Sequence, residues 1–293
     1  MSTGLFQKPP LPLSEQVALL KRRGMLIHDE AQAREALLRI NYYRFSGYAL
    51  HFEVHINGQR THTFKEGTTF DAVINLYEFD TRLRALLFSY IEPVEVAFRT
   101  ALCYELSIQT EDPYWYRDRN RYDKNFNFNG LISTCKREYE RSEETFIKSH
   151  KDKYGSSSLP PGWILTEILS MGQWSKIYKN LLDPEAKKDV ARHFDTKPHF
   201  LESWIHALSV LRNLCAHHCR IWDRNFAIKP KLPTSLKASV LNNARIAALT
   251  LVLTHLLKPL EKNLKFHGDL DAMLAAFPEV PRSNMGFPQE EPL

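Results

Sequence analysis

The nine residues RNLCAHHCR, Arg212 to Arg220, hold two arginines, two histidines, two cysteines and an asparagine. Arg212 and His217 are the pair with chemistry to offer. A guanidinium is always charged and meets phosphate oxygens with two parallel donors, so it can stabilise the added negative charge of a five-coordinate phosphorus. An imidazole titrates near neutrality and can move a proton to or from a ribose hydroxyl or a leaving oxygen. Those are the two requirements of RNA cleavage without a metal. One arginine and one histidine are few for general acid plus general base on a single chain. A twofold dimer resolves this, because an isologous interface brings the same helix face of each subunit together and doubles the set.

A helix has to position these groups. Asp195 and Thr196 before Pro198 suit a cap and a helix start. From there to about Trp222, residues Trp204, Leu208, Leu211, Cys215 and Trp222 fall three, four or seven apart and form one apolar stripe facing a core. At about 100° per residue, Asn213 and His217 lie roughly opposite that stripe, Arg220 falls three further along the same strip, and Arg212 sits at its flank. His218 and Arg220 join as supporting groups on this geometry. The plainer account is that helix-end arginines and histidines bind carbonyls. The string CAHHC also suggests zinc through Cys215, His218 and Cys219. A structural site needs a fourth ligand, Cys103 and Cys135 lie in no paired spacing, and Cys215 is on the core stripe, where a free cysteine acts as a small hydrophobe. The expectation is therefore no metal and no other cofactor.

Three further groups of residues have two readings each. Glu92, Glu95 and Arg99 share one helical face and could form an intrahelical ion pair, or Glu95 could orient Arg212 or a histidine across the core. Arg137, Arg141 and Lys148 are either a solvated face or an RNA contact. In INYYRFSGY the tyrosines either fill a groove or, through Tyr43 and Arg44, touch RNA.

Elsewhere the pattern is mostly helical. Ser14 caps a short helix that Gly24 ends, and Asp29 caps a second that runs to about Ile40, making a helical hairpin. The chain then turns at Gly47. The alternating HFEVHINGQRTHTF around Asn57-Gly58 reads as one β-hairpin. Helical spacing returns from Thr69, with Pro93 kinking that helix or opening the next. Residues 111–129 read as a long ordered loop. Helices follow over about Leu131–His150, Trp163–Leu182 and Leu236–Leu260, with GSSSLPPG (155–162) as a linker and a loose tail after Phe277. The architecture is all-α with one hairpin. Its expected parts are an N-terminal helical and hairpin region (1–68), a helical core (69–265) and a C-terminal tail (266–293).

At 293 residues, 43% hydrophobic and 25% charged, the chain reads as an ordinary globular protein, with disorder and fibrous architectures excluded. A net charge of +5 favours an anionic partner. No signal peptide is visible at the N-terminus, and the greasiest stretch, Ala244–Leu257, is shorter than the about 20 residues a membrane span needs. A cytoplasmic protein with no membrane partner is expected, with its four cysteines reduced.

RNLCAH resembles the HEPN ribonuclease motif, in which an arginine and a polar residue precede a histidine by four to six intervening positions. The blocks LLKRRGMLI, INYYRFSGY, GTTFDAVINLYEFDTRLRALL, IEPVEVAFRTAL and LRNLCAHHCRIW occur in that order, and together resemble the abortive-infection AbiD/AbiF (Abi-like) family over about Leu13–Leu232. The resemblance implies a HEPN-like helical bundle, a site shared by a homodimer, and defence against phage by RNA cleavage. Arg212 and His217 would take the catalytic places and Asn213 the polar second position. Kinship with the nucleases of RNA-guided type VI CRISPR effectors would add a small structured RNA as partner or regulator. The competing expectation is a catalytically silent protein that binds such an RNA.

Overall fold

The computed structural model describes residues 9–155, 159–237 and 239–288. Among these the regular structure is helical apart from one two-stranded sheet. It divides into two compact units, one ending at Arg82 and the other starting at Leu83. The division thus falls after residue 68, inside a helix that both units share.

The first unit opens with α1 (Leu13–Arg22), α2 (Glu30–Ile40) and α3 (Tyr42–Ala49). Asp29 caps α2, accepting from the main-chain N–H groups of Ala31 and Gln32 at 2.8 and 3.0 Å. Ser14 does not cap α1, which starts at Leu13 with Pro12 in the cap position. Nor does the chain turn at Gly47, which lies inside α3. The bend comes at Asn41, with φ 55° and ψ 153°, whose side chain accepts from the Arg44 N–H at 2.9 Å. Strands β1 (Glu53–Ile56) and β2 (Gln59–Phe64) pair antiparallel. Asn57 and Gly58 both have positive φ, 51° and 75°, as a two-residue hairpin turn of this twist demands. Arg60 reaches back to Glu53 with two hydrogen bonds of 2.8 and 2.7 Å.

Helix α4 (Phe70–Thr110) begins in the first unit and continues through the second. Pro93 neither ends it nor starts another. An internal proline costs about 3 kcal/mol. Burial of Leu87, Ile91, Val94, Phe98, Leu102 and Leu106 along one face outweighs this, at about 1.5–3 kcal/mol for each large side chain.

Residues 111–127 form the anticipated ordered loop, tied down by buried Trp115, Tyr116 and Tyr122 and by Arg119, which donates to the carbonyls of Tyr122, Asp123 and Lys124. The helix expected over 131–150 is two, α5 (Phe128–Arg141) and α6 (Thr145–Tyr154). Residues 156–158 of the linker stretch lie outside the described residues. Its far end is packed, with Pro160 and Pro161 buried and the Tyr116 hydroxyl donating to the Pro160 carbonyl at 2.6 Å.

The stretch 163–182 is also two helices, α7 (Gly162–Ile168) and α8 (Met171–Asn180), because Ser170 leaves the helical conformation to cap α8. Asp183 caps α9 (Pro184–Arg192). Helix α10 (Pro198–Ala216) packs against α8, α9 and α12. The long helix expected over 236–260 reduces to α11 (Thr234–Lys237) and α12 (Ile246–Leu257). Helix α13 (Asn263–Ala275) buries Phe266, Leu270 and Leu274, so the stretch set apart as a tail from residue 266 contributes to the core.

Candidate functional site

Helix α10 carries the polar motif, and its sequence explains how it is held. Pro198 occupies the first turn, where its missing N–H costs nothing. Leu201, Trp204, Leu208, Leu211 and Cys215 are buried along one side. The Trp204 indole N–H donates to the Lys231 carbonyl at 2.6 Å.

The helix stops at Ala216, six residues before the expected end. His217 is the residue at the cap, and its N–H donates to the Asn213 carbonyl at 2.9 Å. His218 then turns left-handed at φ 54°. Its N–H reaches the Cys215 carbonyl at 3.0 Å and the Cys219 N–H reaches the Leu214 carbonyl at 2.9 Å. These two bonds make a Schellman closure, with a histidine where glycine is usual. Trp222 is buried, but past the helix rather than on it. Arg220 therefore does not continue the Asn213–His217 strip. It lies in the segment beyond the cap, half-buried, its carbonyl accepting from Arg224.

Asn213, His217 and His218 are exposed. Arg212 is different. Its Nε stands 3.4 Å from Oε2 of Glu95 on α4, and its guanidinium carbon lies 5.5 Å from the centre of the Phe88 ring. That contact places a cation over an aromatic face, while the carboxylate restrains it from α4. The Arg212 Nε is buried and makes no hydrogen bond, since 3.4 Å is long for one.

Arg212 opens onto a cavity of about 460 Å³, which Glu95, Arg99, Arg137, Glu138, Arg141 and Glu167 also line. Arg99 lies 3.3 Å from Glu167 on α7. The intrahelical pairing expected of Glu95 and Arg99 thus gives way to partners on other helices. Arg137 and Arg141 both hold Glu138, at 3.1 and 2.5 Å. Ser170 and Gln173 bring the N-terminal turn of α8 to the same cavity. The lining is predominantly polar, with four arginines facing three glutamates. Such a set can bind an anion by guanidinium donors.

The structure brings together Glu95, Arg99, Arg137, Arg141 and Arg212. It leaves Asn213, His217, His218 and Arg220 outside that lining. Tyr43 and Arg44 belong to the first unit, on α3. Tyr43 is 88% exposed, whereas Tyr48 packs inside, with its hydroxyl donating to Asp80 at 2.7 Å. Lys148 pairs with Glu143.

Sequence reasoning passed over Phe88, Glu138 and Glu167. Phe88 lies seven residues before Glu95 on α4, and Glu138 lies between Arg137 and Arg141, so their spacing on single helices was readable. Glu167 had no such signal. His206, six residues before Arg212 on α10, has its pKa lowered by burial, then by the charges of Lys179 and Lys176. Among the described residues no group of three or more histidines, cysteines or acids stands ready for a metal ion. Cys215 is in the core, and Cys219 turns its thiol to the His217 carbonyl.

The family model of Abi-like proteins matches residues 35–223, which takes in most of the first unit, α4 through α10 and both His217 and His218. The chain belongs to the Abi-like family. No curated protein and no solved structure matches it. Among the described residues no helix is long and apolar enough to cross a membrane.

Proposed function

We propose that this Abi-like protein acts in abortive infection of phage-infected cells as a metal-independent endoribonuclease of the HEPN type, with a site completed by a second copy of the chain. The observation that carries this reading is the placement of Arg212 and His217 about the C-terminal end of α10. Arg212 is held in the polar cavity by Glu95 and Phe88, and His217 is exposed at the helix cap. Five residues apart, the two point about 140° from each other around the helix. One copy cannot close them on a single phosphorus, and an isologous pair of copies can supply two arginines and two histidines to one strand.

In this mechanism an imidazole takes the proton of the ribose 2′-hydroxyl as its oxygen attacks the adjacent phosphorus. The guanidinium of Arg212 stabilises the charge on the phosphorane oxygens. The bond to the 5′-oxygen breaks, a second imidazole protonates that oxygen, and the fragments end in a 2′,3′-cyclic phosphate and a 5′-hydroxyl. Asn213, exposed on α10, takes the part of a hydrogen-bonding partner of the strand in this mechanism. Purified protein incubated with mixed RNA in EDTA should cut it, and Arg212→Ala and His217→Ala should each abolish cutting. Loss of activity on chelation, or a fully active His217→Ala protein, would overturn the proposal.

A second reading rests on the same geometry. Because His217 does not line the arginine cavity, the protein could bind structured RNA without cutting it. That reading expects salt-dependent binding and unchanged RNA length.

A further inference from the structure

The cavity beside Arg212 holds more guanidinium than a single catalytic arginine requires. Arg99 comes from α4, Arg137 and Arg141 from α5, Arg212 from α10, and the N-terminal turn of α8 closes the set with Ser170 and Gln173. The carboxylates present satisfy these cations incompletely. The Nε atoms of Arg99 and Arg212 are both buried without a hydrogen-bond partner, and their ion pairs of 3.3 and 3.4 Å are longer than the about 2.7–2.9 Å of a well-made charge-assisted bond. Arg137 and Arg141 are 63% and 70% exposed while sharing one carboxylate, that of Glu138, which is only 12% exposed. A helix N-terminus adds a fixed partial positive charge on the same side.

We infer that this cavity is a phosphate subsite of the RNA strand, in which Arg99, Arg137 and Arg141 hold a phosphodiester flanking the one that Arg212 faces. The inference rests on the ribonuclease reading for the identity of the strand. Glu95, Glu138 and Glu167 occupy the arginines when no strand is bound. On binding, phosphate oxygens take over donors that the glutamates satisfy only in part, and Arg137 and Arg141 turn from Glu138 to the phosphate. Glu138 is then a competitor as well as an anchor, because two arginines must leave it to reach one phosphate. Arg137 and Arg141 position the strand and take no part in bond breaking.

The test uses full-length protein and a fluorescent single-stranded oligonucleotide with 2′-O-methyl riboses, which binds but cannot be cut because it lacks the attacking hydroxyl. Binding is titrated at several salt concentrations. The double variant Arg137→Gln/Arg141→Gln takes two of three guanidiniums from that one phosphate, so the slope of log affinity against log salt should become shallower by about 0.7, the value for one single-strand phosphate contact. Its affinity should fall at least about tenfold at low salt. Glu138→Gln should bind more tightly than wild type. Lys188→Gln/Arg192→Gln, which removes two exposed charges from α9, should change neither quantity.

Wild-type slope and affinity in Arg137→Gln/Arg141→Gln overturn the subsite, even if the enzyme cuts RNA. Equal losses in the α9 variant overturn it as well, since they would reduce the effect to net charge. Binding of free AMP that depends on Arg137 and Arg141 while oligonucleotide binding does not would also overturn it, assigning the cavity to a nucleotide. The expected slope change in a protein that cuts no RNA upholds the subsite and sinks only the nuclease reading.

Discussion

Glu95→Gln isolates what the Glu95–Arg212 pair does, because glutamine keeps the shape of the side chain and removes its charge. The Arg212 side chain is 35% exposed and that of Glu95 12%, so the pair is neither a surface pair nor fully buried. Exposed pairs contribute about 0–1 kcal/mol, and breaking a buried one costs about 3–5 kcal/mol. The length of 3.4 Å and the missing hydrogen bond at Nε place this pair near the lower range. A loss of about 1 kcal/mol in unfolding free energy is expected, and the contact with Phe88 survives the change. In RNA cleavage, a freed guanidinium should lower kcat by about tenfold, equivalent to about 1.4 kcal/mol of transition-state stabilisation. KM should fall, since the cavity then sets four arginines against two glutamates. Urea unfolding followed by circular dichroism gives the first quantity, and steady-state cleavage of a short RNA gives the others. A variant with unchanged stability and unchanged kcat would refute the argument that Glu95 positions Arg212. A drop in kcat together with a rise in KM would show instead that Glu95 itself contacts the strand.

Two further outcomes test the frame around the site. Burial pushes the Glu53 carboxyl pKa up, but the hydrogen bonds and charge of Arg60 outweigh this and hold it below the usual carboxylate value. A lowered folded-state pKa contributes stability that is present above the unfolded value and is lost as pH falls through the folded one. Protection factors in β1 and β2, taken against the unfolded chain at the same pH, should therefore fall on acidification through the carboxylate range, and Glu53→Gln should remove most of that pH dependence. Gly162→Ala would set a methyl group 2.9 Å from the Trp115 indole nitrogen and 3.2 Å from the Cys103 sulfur, so overpacking should lower stability by about 1–3 kcal/mol, read as a fall in Tm.

Where a local signal sets the structure, the sequence was readable. Asp29 marks the start of α2, Asn57-Gly58 marks the hairpin turn, and the 3–4 spacing of Trp204, Leu208, Leu211 and Cys215 marks the buried side of α10. Local signals also misled. Pro93 suggested a break in α4, yet burial along that helix outweighs the proline's cost. The end of α10 carries no glycine or asparagine to mark it, because His218 takes the left-handed position itself. Reading the stripe on to Trp222 therefore placed Arg220 on a helix that had already closed. Of the candidate site, Arg212 and His217 could be found by type and spacing. The cavity could not, because it forms where five helices converge, and no periodicity on any one of them relates Arg99 to Glu167 or Arg212 to Arg141.

That closure explains why so many reactive types crowd into nine residues. The motif straddles a helix terminus, and its members divide by what the terminus asks of each. Arg212 lies a full turn inside, where the helix is rigid and its neighbours on α4 can clamp it. His217 is the cap residue, the last to keep near-helical backbone angles, at φ −90° and ψ 12°. His218 and Cys219 spend their main-chain N–H groups on the closing bonds, which fixes the direction in which the chain leaves. A helix that ran on to Trp222 would have walled His217 with the side chains of the following turn, including Arg220 and Ile221. Ending at Ala216 leaves the imidazole open on the outward side while Ile221 and Trp222 return to the core. Along the axis the two groups are separated by about 7.5 Å as well as by their angle. In the proposed mechanism a phosphorus bracketed from both sides needs a second helix end facing the first.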